Sequence, residues 1–294
     1  MQSLSSTKAR IDLYNEDCLT GMKEKLAAKS VSLIVTSPPY NIGIEYGTEG
    51  YDDHMPRADY LDWMVDVSYE MHRVLADDGS LFLNLGSKPT DPYIPHDVLN
   101  IFRRCWHLQN TFLWVKSLYV EDIETTVGHF KPINSPRFVN DCVEFIYQLT
   151  KTEDTPKDQG FEYVFHLTKD GKTPVDRLAL GVPYEDASNR KRWKNGSLGL
   201  HCRGNVWVIP YKTIQSRDKD RGGHPATFPP QLAMNCMLAH GLDRIKLALD
   251  PFNGEGNSAI AAATLGVDFV GFELNEQTHK NALINVGLVE EEVA

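Results

Sequence analysis

The 294-residue sequence has little of what would place a chain in a membrane, outside the cell or around a metal. No apolar run is long enough to span a bilayer. The first residues, MQSLSSTKARIDLY, contain no apolar signal core, so export is not expected and a cytoplasmic location is. The five cysteines, Cys18, Cys105, Cys142, Cys202 and Cys236, are odd in number and scattered, with no C-x-x-C pair. They are expected to be reduced and mostly packed, and none follows a proline. The ten histidines are scattered too, so no metal-ligand cluster is expected. No internal repeat is read, and a complete G-x-G-x-x-G is missing.

What is present is ordinary in amount and uneven in placement. Hydrophobic content of 41% and charged content of 24% fit a soluble globular protein, and the length suits one large or two modest domains. The net charge of −10 argues against a polyanionic partner, but its distribution does not. From Lys151 to Gly223 there are 14 Lys/Arg and 10 Asp/Glu, net +4, leaving −14 for the rest. An acidic body with one basic segment fits local attraction to a nucleic acid, or a loop-rich insert with solvated charge.

Periodicity gives the elements. Short strands are expected at Ile11–Tyr14, Val31–Val35, Ser80–Leu85, Leu108–Val115, Asp141–Leu149, Arg244–Leu249 and Val267–Phe272. Helices are expected at Cys18–Ala28, Asp59–Leu75, Asp97–Cys105, Gln231–His240, Asn257–Leu265 and Glu276–Val286. Asn41–Pro56, rich in Gly, Tyr and Asp, reads as a loop over the site. From Lys151 the pattern breaks, with short apolar pieces at Tyr163–Phe165 and Val206–Ile209. Alternating strands and helices with apolar strands predict an α/β fold, a doubly wound sheet that is mostly parallel.

Two stretches carry chemistry. Thr36-Ser37-Pro38-Pro39-Tyr40 ends an apolar strand on two prolines, neither of which can donate to the ladder. The chain therefore leaves the sheet stiffly, with a hydroxyl, a carbonyl and an aromatic ring at one place. Such an edge suits a flipped nucleobase; a Pro-rich surface turn is the plain alternative. Asp250-Pro251-Phe252-Asn253-Gly254-Glu255-Gly256 is a glycine loop between strand and helix, and Glu273 follows 23 residues after Asp250 at the next strand end. This order is that of a nucleotide-binding half, in which a terminal carboxylate can accept ribose hydroxyls. Asp250 at the loop's entry would repel a pyrophosphate and suits a cationic amine.

Taken together, the two stretches resemble the amino-group DNA methyltransferases that use S-adenosylmethionine. Asn15-Glu16-Asp17-Cys18-Leu19 is similar to that family's N-terminal acidic turn, Trp114-Val115-Lys116 and Glu144-Phe145-Ile146-Tyr147 to its later strand motifs, and His224-Pro225-Ala226-Thr227-Phe228-Pro229 to the segment over the cofactor's methionine end. The catalytic motif precedes the cofactor loop, a circularly permuted order like that of the family's β group. The resemblance implies a Rossmann-like methyltransferase sheet with residues 1–150 as catalytic half, 151–223 as an inserted target-recognition region and 224–294 as cofactor half. It implies Ser37, Pro38, Pro39 and Tyr40 as catalytic. It implies Asp17, Asp250, Phe252, Gly254, Gly256, Ser258, Glu273, His224 and Pro225 at the cofactor, with Asn257 and Ser258 standing where threonines are usual. Ser-Pro-Pro-Tyr leans towards cytosine N4 over adenine N6.

The chemistry is then a direct displacement, without a covalent enzyme intermediate. Cytosine's exocyclic amine is a poor nucleophile because its lone pair is delocalised. Bonds accepted by the Ser37 hydroxyl and the Pro38 carbonyl would localise it, and Tyr40 would stack on the base. Arg190, Lys191, Arg192 and Lys194, around Trp193, form the densest basic run and are expected on DNA phosphates, as are Lys131 and Arg137. The plain reading of that run is a solvated turn. Trp63 and Trp106 are expected to pack in the core. The implied partners are double-stranded DNA and S-adenosylmethionine, with no membrane; a homodimer and a cognate restriction endonuclease for the same site stay open. A non-catalytic nucleic-acid-binding module and a nicotinamide dehydrogenase are competing classes.

Overall fold

The computed structural model describes residues 9–41, 43–44, 53–86, 91, 93–116, 118–120, 125–127, 161–170, 172–176, 178–183, 200–201, 206–210 and 228–289. The chain opens with β1 (Ile11–Tyr14), α1 (Cys18–Lys25), β2 (Val31–Thr36), α2 (Arg57–Val74), β3 (Leu75–Leu85), α3 (Ile94–Phe102) and β4 (His107–Val115). Two small antiparallel pairs are β5 (Leu118–Val120) with β6 (Thr125–Val127) and β8 (Val182–Pro183) with β9 (Leu200–His201), and β7 (Phe161–Thr168) falls between them in the chain. The remainder is β10 (Val206–Val208), α4 (Pro230–His240), a short 3-10 turn at Leu242–Arg244, β11 (Ala248–Asp250), α5 (Asn257–Leu265), β12 (Phe269–Phe272) and α6 (Glu276–Val286).

Among the described residues, eight strands form the main sheet, in the order β1-β12-β11-β2-β3-β7-β4-β10. All pairings are parallel except those of β7, which runs antiparallel to both β3 and β4. The expected doubly wound, mostly parallel sheet is therefore present. Its two faces are read directly from β2: Leu33 and Val35 join one apolar cluster with α4 and α5, while Ile34 joins the other with α1, α2 and α3. Alternate residues of a strand face opposite sides, so a strand covered on both sides must be apolar throughout.

Several expected boundaries move. β7 and β10 come from the stretch read as an insert, and they belong to the main sheet. The expected strand Asp141–Leu149 lies outside the described residues. β3 starts at Leu75 instead of Ser80 and runs through Asp77-Asp78-Gly79; Asp77 is held there by Lys29 and Lys169. α3 starts at Ile94 instead of Asp97, because Pro95 in the first turn is compatible with helix φ and needs no donor there. The strand expected at Arg244–Leu249 starts late, at Ala248, after the 3-10 turn at Leu242–Arg244 that follows Gly241 at φ +101°. The bounds of α5 and α6 are those expected. Cys18 and Cys236 are buried free thiols and Cys105 is half-buried and free, while Cys142 and Cys202 lie outside the described residues. No described helix is long and apolar enough to cross a membrane.

One side chain fixes α1 against α2. Arg73 donates to the carbonyls of Met22 (2.8 Å) and Leu26 (3.0 Å) and pairs with Glu70 at 2.6 Å. It thus gives a donor to the Leu26 carbonyl just beyond α1 and a second one to the Met22 carbonyl, which also accepts from the Leu26 N–H. Arg73→Ala is expected to destabilise the fold by about 1–3 kcal/mol, as for hydrogen bonds from a charged donor, measured as a shift in urea midpoint at unchanged slope.

Candidate active site

The parallel strands β11 and β2 are neighbours, but the chain leaves them in opposite directions: β11 leads to β12, and β2 leads to β3. The crevice between their carboxyl ends is the topological switch point, where open α/β sheets bind ligands. Both chemical stretches emerge there, from Thr36 and from Asp250.

They are joined by a buried network. Asp250, only 1% exposed, accepts from the Thr36 hydroxyl at 2.6 Å, the Ser258 hydroxyl at 2.7 Å and the Phe252 N–H at 3.0 Å. One carboxylate thus binds the residue before Ser37, the backbone of the glycine loop and the first turn of α5. Burial pushes its pKa up to about 6, and those three bonds hold it down against a larger rise. The structure places Asp250 among these internal donors and not on an open surface.

The turn after β2 is stiffened from three sides. The buried Tyr60 on α2 donates to the Pro39 carbonyl at 2.8 Å. Ser37 Oγ and the Tyr40 hydroxyl are 2.7 Å apart, and Asn84, near the end of β3, donates to Tyr40 at 3.0 Å and Ser37 at 3.4 Å. The Tyr40 ring is 8% exposed and packed in the apolar cluster under α2, so stacking on a base requires it to be uncovered. Asn41 then takes φ +56°, and the buried Asp53 gathers the N–H groups of Asn41, Gly43 and Ile44 at 2.8–2.9 Å. Asn84, Tyr60 and Asp53 were not singled out in the sequence. They sit nine or more residues from their partners, and no local pattern marks them.

The glycine loop has its own order. Gly254 adopts φ +52° and donates to Glu273 Oε2 at 3.0 Å; Glu273 Oε1 accepts from Asn275 N–H at 2.8 Å. Burial raises the Glu273 pKa, the two N–H groups oppose the rise, and the charge of Asp250 adds to it. Gly256 takes φ +88°, and a Cβ there would stand 3.2 Å from Ala282 on α6, so the loop lies directly on that helix. Asn253 is buried with neither side-chain amide atom bonded, lodged where Gly271 leaves room. Asn15 donates to the carbonyls of Glu273 and Leu274, and Asp17 caps α1 by accepting from Thr20 N–H at 2.9 Å. Phe252 meets Trp63 edge-on at 5.6 Å, so Trp63 packs on the core and also lines this crevice, whereas Trp106 is fully core and donates to Ser68.

The structure therefore brings together Ser37, Pro38, Pro39, Tyr40, Asp250, Phe252, Gly254, Gly256, Ser258 and Glu273 at one sheet edge, with Asp17 beside them at the end of β1. His224, Pro225, Lys131, Arg137, Arg190, Lys191, Arg192 and Lys194 lie outside the described residues. No group of three or more His, Cys, Asp or Glu among the described residues could hold a metal ion.

Comparison with known proteins meets this geometry from another direction. The family model described as DNA methylase matches residues 31–284. Type II methyltransferase M.BglII of Bacillus subtilis is 26% identical over 279 residues, which cover 90% of this chain and 66% of that protein. DNA adenine methyltransferase YhdJ of Escherichia coli (strain K12) is 26% identical over 275 residues, 92% of this chain and 81% of that one. Among solved structures, the PvuII DNA methyltransferase (cytosine-N4-specific) superposes with a TM-score of 0.62 at 17% identity, over 98% of this chain and 89% of that one. The M1.HpyAVI–SAM complex superposes with a TM-score of 0.54 at 14% identity, over 94% and 99%.

Proposed function

Given that the chain belongs to the N6/N4 DNA methylase family, we propose that it is a sequence-specific DNA methyltransferase acting on the exocyclic N4 amine of a flipped cytosine, with S-adenosylmethionine as donor. The observation that carries this reading is the bond from Thr36 to Asp250, because it fixes the base-side turn against the cofactor-side loop at the switch point. The type II names of relatives such as M.BglII support a restriction–modification role.

The residues present fit S-adenosylmethionine. Gly254 and Gly256 let backbone approach a ligand, and α5 begins without a side-chain cap, leaving N–H groups for the methionine carboxylate. Each Glu273 oxygen holds one N–H and can accept a second donor, so both ribose hydroxyls can be taken. Asp17 and the Trp63–Phe252 pair flank that position. When bound, the group supplies a methyl on a positive sulfur, open to in-line attack.

The chain's own part is positioning. Ser37 Oγ and the Pro38 carbonyl accept from the amine and turn its lone pair towards the methyl group. Tyr60 and the two prolines keep that edge rigid, and Asn84 orients the Ser37 and Tyr40 hydroxyls. Positioning of this kind supplies much of the rate in a displacement that needs no enzyme nucleophile. In the 151–223 stretch, Arg190, Lys191, Arg192 and Lys194 carry target recognition, with Lys131 and Arg137 on the DNA backbone. Methylation of adenine N6 is the second reading, favoured by the likeness to the adenine enzyme YhdJ.

The test is product identity. Duplex DNA of mixed sequence, incubated with the protein and S-adenosylmethionine and digested to nucleosides, is expected to yield N4-methyldeoxycytidine. N6-methyldeoxyadenosine in its place would refute the cytosine assignment and leave the fold-level reading intact.

A further inference from the structure

S-adenosylmethionine carries an α-carboxylate and an α-ammonium on one carbon, and both need partners. The uncapped N–H groups of the first turn of α5 suit the carboxylate. Because the two groups share a carbon, whatever holds the carboxylate there brings the ammonium to the side chains of the same turn. One of them must accept from it.

Asp250, expected to suit that cation, is buried and already accepts from the Thr36 and Ser258 hydroxyls and the Phe252 N–H. Within the turn, Ala259 is apolar and buried, and Ser258 is buried with its hydroxyl given to Asp250 at 2.7 Å. Asn257 remains. It is the first residue of α5, half-buried, and its Nδ2 donates to the Phe228 carbonyl at 2.8 Å. That bond fixes the direction of the amide. A carbonyl can only accept, so the nitrogen must face Phe228 and the oxygen must be the other end. Asn257 Oδ1 accepts no bond among the described residues and is not sealed from solvent.

The turn is held from two sides before any ligand arrives. Phe228 packs on the apolar cluster of α4 and α5 and stands immediately before Pro229 and Pro230, where α4 begins. On the other side Asn285 of α6 donates to the Glu255 carbonyl at 3.1 Å, and Gly256 lies against Ala282. An acceptor fixed in this way loses little freedom when a ligand binds.

We propose that Asn257 Oδ1 accepts a hydrogen bond from the α-ammonium of S-adenosylmethionine, the Phe228 carbonyl keeping the amide oxygen presented to it. The inference rests on the S-adenosylmethionine reading given above. It gives Asn257 two separable roles, a donor that ties α5 to the start of α4 and an acceptor for the ligand. Side-chain recognition at this end of the site is then of the ammonium, and the carboxylate is left to the backbone.

Binding of two probes to the full-length protein, followed by calorimetry, tests this without reference to catalysis. One is S-adenosylhomocysteine, which has the ammonium and the carboxylate but no methyl group to transfer. The other is its deaminated analogue, with hydrogen in place of the α-amino group. The ratio of their dissociation constants isolates the ammonium, because a change that merely loosens the pocket weakens both alike. Asn257→Ala is expected to cut the preference for S-adenosylhomocysteine by about tenfold or more, as for a lost hydrogen bond to a charged group. Asn257→Asp cannot donate to Phe228 but keeps an acceptor, so it is expected to keep or raise the preference. The inference is overturned if the alanine variant weakens both probes by the same factor, or if the aspartate variant loses the preference as the alanine variant does. A wild type that binds neither probe would overturn the S-adenosylmethionine reading itself.

Discussion

Tyr40→Ala is expected to slow methyl transfer by about 5- to 150-fold while leaving the affinity for S-adenosylmethionine within about twofold. The range follows from stacking worth about 1–3 kcal/mol per base, at about 1.4 kcal/mol per tenfold in rate. Two roles are lost together. The ring is the aromatic face at the end of β2, and its hydroxyl is bonded at 2.7 Å to Ser37 Oγ, the proposed acceptor for the amine. Tyr40→Phe separates them: the ring is kept, and only a bond of about 0.5–1.5 kcal/mol goes, so the rate should fall about 2- to 12-fold. Because Tyr40 packs in the cluster under α2, the alanine variant also loses stability, and rates must be compared where both proteins are folded. A variant that binds the cofactor more weakly by a larger factor than it slows transfer would contradict the base-side role.

His240→Asn is expected to reverse part of the protein's sensitivity to acid. Ser80 Oγ stands between two buried imidazoles, 2.7 Å from His166 Nε2 and 2.9 Å from His240 Nδ1, and Asn110 reaches His166 Nδ1 at 3.2 Å. A consistent chain runs from the Asn110 amide to His166, from His166 Nε2–H to Ser80, and from the Ser80 hydroxyl to His240. It needs both rings neutral. Burial, with positive charge on Arg244, holds His166 down to about 3 and His240 down to about 4; His240 also adds to the drop at His166, and Asp78 and Asp243 pull His240 the other way.

The unfolded chain therefore binds these two protons first, from about pH 6.5 downward, and the folded state loses stability as pH falls from there to about 4. Asp250 works in the opposite sense. Its folded value near 6 lies above the unfolded 3.8, so the folded state takes up a proton first across that window, and the raised Glu273 adds in the same direction. The whole protein shows the difference of these opposing effects, which is why the variant comparison is the cleaner measurement. At neutral pH His240→Asn should be the less stable protein, by about 1–3 kcal/mol for the disturbed buried bond. On acidification it should gain on the wild type by about 1.4 kcal/mol per pH unit between about pH 6 and 4. A stability difference independent of pH would show that His240 is not held neutral by the fold.

The parts that could be read from sequence are those where local pattern and global position agree. Leu33, Ile34 and Val35 are apolar in succession because they are covered on both faces, and two prolines end the run whatever the context. Asn257–Leu265 and Glu276–Val286 were legible to the residue because Gly256, Gly266 and Gly287 bound them in left-handed conformations. The meeting of Ser37 with the glycine loop followed from the order of strands.

What could not be read has physical causes. β7 lies beyond the composition break at Lys151, in the stretch read as an insert, so its place in the main sheet could not be read from local pattern. Asn84 and Tyr60 act through contacts that exist only once β3 and α2 are packed beside β2. Asp250 was legible as the residue that closes a strand but not as a buried one: three donors converge on it, one of them 214 residues away.

The most direct measurement is a single-turnover transfer of the labelled methyl group of S-adenosylmethionine to duplex DNA, with cofactor binding followed in the same samples by calorimetry. The account predicts label in the DNA with the wild type, and much slower labelling with Tyr40→Ala at nearly unchanged cofactor affinity. Tight cofactor binding by the wild type with no label in any DNA would contradict it.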